Sequence, residues 1–188
     1  TTQKGVEVLG AGRDHVAAFY QSDEDLADQV YDHLFSGGEP TTAILVASPE
    51  HRQLIAGRMT RAGVDVSAAL ADGSFVALDA SRALAGFMVA GWPDAAAFWQ
   101  TMSPVLKRAE VRPGKVRVFG EMVALLWDAG ETGAAVELEA LWNELARQYS
   151  FSLLCTYPAS SVAAAGDADD LSDMLAAHSA VMGARSQR

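Results

Sequence analysis

The stretch Lys115–Trp127, KVRVFGEMVALLW, decides the fold. Val116, Val118 and Phe119 supply the near-continuous apolar run of a strand buried on both faces, and such strands belong to parallel sheets covered by helices. The run stops at Gly120-Glu121-Met122, and Trp127 follows about two helical turns on. A carboxylate therefore stands at the C-terminal end of the strand, the edge where open α/β sheets gather their ligands. Nowhere does the chain carry a Gly-x-x-x-x-Gly-Lys-Ser/Thr loop to hold phosphates there.

Outward from this strand the pattern alternates. Towards the N-terminus, HVAAFY (His15–Tyr20) reads as a short strand and Ser22 begins a helix, with Asp25 three residues on as a capping partner. Leu26, Val30, Leu34 and Phe35 share one face of that helix, which Gly37-Gly38 ends. Thr42–Ala47 is a buried strand, and Ser48-Pro49-Glu50 opens a helix that runs to about Arg61 and stops at Gly63. Phe75–Leu78 is a strand ending at Asp79. Ser81 is placed to cap a helix holding Leu84, Phe87 and Met88, broken at Gly91-Trp92-Pro93. A further helix covers about Asp94–Glu110, and Pro113-Gly114 turns the chain into the central strand.

Beyond it, Ala134–Tyr149 is the clearest amphipathic helix: Leu138, Leu141, Trp142, Leu145 and Tyr149 repeat at helical spacing, leaving Glu137, Glu139 and Glu144 for water. Phe151–Tyr157 is the last strand, closed by Pro158. Residues 1–13 read as a loose arm and 14–160 as the folded domain. Residues 161–188 read as a linker followed by a terminal helix over Asp170–Met182. Alternating strands and helices of this kind imply an α/β fold of three layers, a mostly parallel sheet flanked by helices.

The chain has 188 residues, half of them hydrophobic, enough for one substantial core. With 14 Lys plus Arg against 24 Asp plus Glu its formal charge is −10, which opposes nucleic acid and anionic membranes as partners. Cys155 is the single cysteine, so no internal disulfide exists, and a reducing, cytoplasmic setting is the expectation. No apolar run is long enough to span a bilayer, and the first residues lack a signal-peptide core.

The candidate sites are few. VEVLGAG at Val6–Gly12 fails as a dinucleotide fingerprint, because His15 stands where a third small residue belongs. The histidines at 15, 33, 51 and 178 form no His-Glu-x-x-His, and no Cys-x-x-Cys exists, so neither metal nor cofactor is expected. His15, Glu121 and Cys155 all lie on or beside predicted strand ends and are free to meet in space; a hydrogen-bonded histidine and an inert buried thiol are the simpler account of them. Glu121 and Asp79 each end a strand, as a carboxylate pair or as helix caps. Phe19, Tyr20, Tyr157 and Trp127 could wall a small-molecule pocket or fill ordinary core.

Read together, HVAAFYQSDEDLADQVYDHLFSGGEPTTAILVASPEHRQLI, LDASRALAGFMVAGWPD, VRVFGEMVALLWDAG, LEALWNELA and FSLLCTYP resemble the MEDS domain, the methanogen/methylotroph DcmR sensory domain. That resemblance implies a non-catalytic sensory module of prokaryotic signalling, with relatives joined to kinases, DNA-binding domains or sigma-factor regulators. It also implies similarity to RecA/KaiC ATPases. QSDEDLADQ then stands where their phosphate loop would be, and Asp23, Glu24 and Asp25 repel a triphosphate. Glu121 takes the place of the magnesium acid. His15, Phe19, Tyr20, His51, Glu121, Trp127, Cys155 and Tyr157 match the family pattern and are the ligand-binding candidates. The expected partners are a small molecule and a regulatory protein such as a kinase or sigma-factor regulator, with a homodimer also open. An output domain is not expected after residue 160, so a signal is expected to pass through binding to another protein, with transcription regulation as the expected setting. A ligand-free scaffold that self-associates, through Trp92 and Trp99, is the alternative.

Overall fold

The central strand is where the sequence puts it. In a computed structural model, which describes residues 14–163 and 168–183, Lys115–Gly120 lies third in a six-stranded sheet. The elements run β1 (His15–Tyr20), α1 (Asp23–Phe35), β2 (Thr41–Ala47), α2 (Pro49–Arg61), α3 (Val66–Asp72), β3 (Phe75–Asp79) and α4 (Ala80–Ala85). A small hairpin follows, β4 (Met88–Val89) and β5 (Trp92–Pro93), then α5 (Ala95–Glu110), β6 (Lys115–Gly120), α6 (Met122–Asp128) and α7 (Thr132–Gln148). The chain closes with β7 (Ser152–Pro158), α8 (Ala159–Ala163), α9 (Ala168–Ala176) and β8 (Ala180–Met182). The expected N-terminal arm lies outside the described residues.

The sheet order is β3-β2-β6-β7-β1-β8, and every pairing in it is parallel. Register sorts the side chains. Val118 lies opposite Ile44 and Leu153, while Phe119 lies opposite Leu45 and Leu154. Ile44, Val118 and Leu153 join the core beneath α4 to α7 and α9; Leu45, Phe119 and Leu154 join the core beneath α1 and α2. Both faces are therefore buried, which is why β2 and β6 could be apolar at consecutive positions. The connections after β1 and β2 cover one face, and those after β3, β6 and β7 cover the other. Neighbouring β2 and β6 thus send their chains in opposite directions, which makes their C-terminal ends a topological switch point, the place where open α/β sheets bind ligands.

Several local expectations need correction. Asp79, not Ser81, caps the helix after β3, through Arg82 N–H at 2.9 Å. That helix stops at Ala85, and Met88 and Val89 form a hairpin with Trp92 and Pro93 around a left-handed Ala90-Gly91 turn. A seven-residue helix, α3, which the spacing did not suggest, is capped by Asp65. The terminal segment is not one helix. It breaks at Ala177–Ser179, where Ser179 bonds the backbone of His15, and Ala180–Met182 then pairs with β1 as an edge strand.

Candidate functional site

The sequence candidates divide into two groups, joined by the dipeptide that ends β1. The first sits at the β2/β6 switch point. Gly120 ends β6, and Glu121 turns back so that its carboxylate meets the first turn of α2 rather than its own helix. Oε2 accepts the Ser48 N–H at 2.7 Å, and Oε1 lies 2.6 Å from His51 Nδ1. Ser48 Oγ caps α2 at the His51 N–H. Glu121 therefore closes the N-terminus of α2 electrostatically, where a carboxylate is stabilised by the free N–H groups. That hydrogen bond holds the His51 pKa above its ordinary value, against the opposing effect of burial. Tyr20 stands edge-on to the His51 ring at 6.4 Å; burial first, then the charge of Glu121, pushes its hydroxyl up to about 12.

Asp79 does not pair with Glu121. It caps α4 and binds Arg52 Nη2 at 2.9 Å, so the helix-capping reading holds for it. The β1–α1 turn is equally self-sufficient. Ser22 Oγ caps the Asp25 N–H, and Asp25 accepts from Gln21 N–H and Gln29 Nε2. Three carboxylates crowd the first turn of α1, leaving no cradle for a phosphate.

The second group lies under α7, inside the core. His15, Cys155 and Tyr157 project from the sheet face beneath that helix, in line with their register, in which Ala17 lies opposite Cys155. They meet not Glu121 but Glu139, which is fully buried. His15 Nε2 is 3.0 Å from Glu139 Oε2, and Cys155 Sγ is 3.5 Å from His15 Nε2 and 3.9 Å from Glu139 Oε2. Tyr157 Oη donates to Glu139 Oε1. From the break after α9, His178 brings Nε2 to 3.2 Å from Glu139 Oε1, off the line of a hydrogen bond. Burial disfavours the Glu139 carboxylate, yet the two histidines outweigh it and hold its pKa below the usual range. His15 is raised: burial opposes its protonation most, but Glu139 and then Asn143 more than offset this. Burial, reinforced by Glu139, pushes the Cys155 thiol and the Tyr157 phenol well up. A neutral thiol in a closed site is a poor nucleophile.

Phe19 and Tyr20 connect the groups, since the Phe19 ring lies 6.3 Å from that of Tyr157 and Tyr20 reaches His51. Trp127 is a buried core residue of α6. Glu139 and His178 escaped the sequence reading. A glutamate beside a leucine stripe is ordinarily solvated, but Glu139 falls three and four residues before Trp142 and Asn143, on the same buried flank. That spacing was the available signal. For His178 nothing local distinguished it, because the segment was read as helix.

A fully parallel six-stranded sheet, helices on both faces and a β1–α1 turn crowded with carboxylates define a three-layer α/β domain. The sequence profile of the MEDS domain, described as the methanogen/methylotroph, DcmR sensory domain, matches residues 14–179, and the chain belongs to that family. Comparison with curated proteins returns no match. None of the described helices is long and apolar enough to cross a membrane.

Proposed function

We propose that this domain is a non-catalytic, cytoplasmic sensor. A small molecule binds at the β2/β6 switch point, and the signal passes to a partner regulator. The observation that carries the reading is the His51–Glu121 pair. It is part-exposed, polar, and lies at the switch point where the chain leaves neighbouring strands in opposite directions. Tyr20 forms one wall and, through Phe19, touches the packing around Tyr157. A ligand that binds one arrangement of these rings better than another shifts the population of that arrangement.

The test is native mass spectrometry set against the denatured mass, followed by thermal-shift screening of small polar metabolites. A ligand that stabilises the native chain should lose most of that effect in His51→Ala and Tyr20→Phe. Undiminished stabilisation in both variants would place the ligand elsewhere. Ligand-free scaffolding is favoured by one observation, the exposure of Trp92 and Val89 on the β4–β5 hairpin. Loss of self-association in Trp92→Ser, with no ligand found, would select it.

A further inference from the structure

The polar cluster beneath α7 has the composition and aim of a metal centre. We infer that His15, Glu139, Cys155 and His178 bind one divalent transition ion, of the zinc class. It would tie the α9–β8 segment to the rest of the domain. The four donor atoms, His15 Nε2, a Glu139 oxygen, Cys155 Sγ and His178 Nε2, all lie within 4.8 Å of one another. Tetrahedral zinc, with bonds of about 2.0–2.1 Å to nitrogen and oxygen and about 2.3 Å to sulfur, places its ligand atoms roughly 3.3–3.6 Å apart. His15 Nε2 and Cys155 Sγ lie 3.0 and 3.9 Å from Glu139 Oε2 and 3.5 Å from each other, which brackets that range, and His178 Nε2 lies 3.2 Å from the second carboxylate oxygen, Oε1.

The surroundings fix which nitrogen of each ring faces inward. Asn143 donates through Nδ2 to Ala177 O at 2.8 Å, so its Oδ1 faces His15 Nδ1, 2.9 Å away, and accepts the proton there. Met174 O does the same for His178 Nδ1 at 2.7 Å. With both Nδ1 atoms donating, the neutral rings present unprotonated Nε2 lone pairs to the cluster. Histidine ligands are commonly oriented by such partners on the far nitrogen. Among two imidazole lone pairs and a carboxylate directed at one buried point, the donors are the weak Cys155 thiol, shared between Glu139 and His15 Nε2, and the Tyr157 hydroxyl, turned to Glu139; neither reaches both imidazole Nε2 atoms, and a cation supplies what all four ligands share. Without it, the same contacts require a proton on His15 and leave His178 Nε2 buried with no hydrogen-bond partner.

The mixed sulfur, nitrogen and oxygen set suits zinc better than magnesium or calcium, which take oxygen ligands. Four protein ligands fill a tetrahedron, so the site holds structure and does not activate water. The ligands come from β1, α7, β7 and the turn before β8, and only His178 belongs to the terminal segment. Metal would therefore control how firmly that segment docks. The inference deepens the sensory reading and rests on it only for that signalling meaning; the site itself stands on its geometry.

The experiment uses the full chain, purified without a histidine tag and assayed for bound metal by elemental analysis. The metal-stripped protein is then titrated with Co²⁺. Near-stoichiometric zinc, or intense visible bands of tetrahedral cobalt with a thiolate charge-transfer band, is the expected result. Cys155→Ser should abolish the charge-transfer band, and His178→Gln, in the peripheral segment, should weaken binding. Asn143→Ala should weaken it by about 10–100-fold through the orientation of His15. Wild-type protein with no bound metal and no cobalt spectrum would overturn the site, as would a spectrum unchanged in both Cys155→Ser and His178→Gln. A metal-free chain that still binds a small molecule overturns the metal and leaves the sensor standing. A zinc-loaded chain whose terminal amides exchange alike with and without metal keeps the site and removes its signalling meaning.

Discussion

Glu139 organises a buried polar cluster, because its carboxylate faces His15, Cys155, Tyr157 and His178 at once. A buried charge of this kind persists only where its partners are in place. Tyr157→Phe removes one hydrogen bond to the carboxylate while preserving shape, and should cost roughly 1.5–3 kcal/mol in urea unfolding with an unchanged m-value. An unaltered midpoint would mean that the phenol contributes nothing net. His33 tests the opposite case, a histidine kept neutral. Burial first, then neighbouring Arg117, lowers its pKa from 6.5 to about 4, while Nε2 bonds Val118 O at 3.0 Å. The unfolded chain thus takes up this proton first, so stability is full above about pH 6.5 and falls as pH drops towards about 4. The slope is at most about 1.4 kcal/mol per pH unit. His33→Gln should flatten that part of the profile; equal losses in wild type and variant between pH 7 and 5 would rule the residue out. At this scale the sequence was partly legible. His15, Cys155 and Tyr157 were read as site residues and do meet, but their acid was taken to be Glu121, because a strand end announces itself and a helix flank does not.

Elements were read best where local chemistry and burial agree. Ser22 and Ser48 cap the helices expected of them, and Asp94 opens α5. The errors fall where tertiary contacts decide. Phe87 is drawn into the core and Met88 follows into a hairpin, so a sequence that could continue a helix does not. Ala180–Met182 becomes a strand because the free edge of β1 is there to receive it. The turn into β6 shows how narrow such local constraints are. Gly114 has φ +107, and a Cβ there would stand 2.0 Å from Pro40 O, the carbonyl that accepts the Lys115 N–H at 2.9 Å. Gly114→Ala must both adopt a left-handed backbone and displace a main-chain partner of the central strand. The expected cost is roughly 2 kcal/mol or more, read as a lowered midpoint in denaturant. A variant as stable as wild type would show that the Pro40 loop yields freely.

At the scale of the whole molecule, the described segment from Ala168 to Met182 ties several elements together. Met174 is fully buried against α7 and the sheet, Thr132 binds Asp170, and Asn143 donates to Ala177 O. Ser179 both donates to and accepts from the backbone of His15, and Ala180–Met182 covers the edge of β1. A chain ending at Ala163 loses these together. Burial of Met174 alone is worth about 2 kcal/mol, and the departure of His178 takes one partner from a buried carboxylate. The truncated protein should therefore unfold at lower urea concentration, by roughly 3 kcal/mol or more. Its bared β1, with Val16–Ala18 no longer paired on that side, is an open template for another strand. Light scattering should find a larger particle mass per chain than for the full-length protein under the same conditions. If the truncated chain keeps both the midpoint and the particle mass of the full chain, the terminal segment is an appendage. In that case it could not transmit an event at Glu139, because docking that contributes nothing to stability has no equilibrium for a ligand to shift.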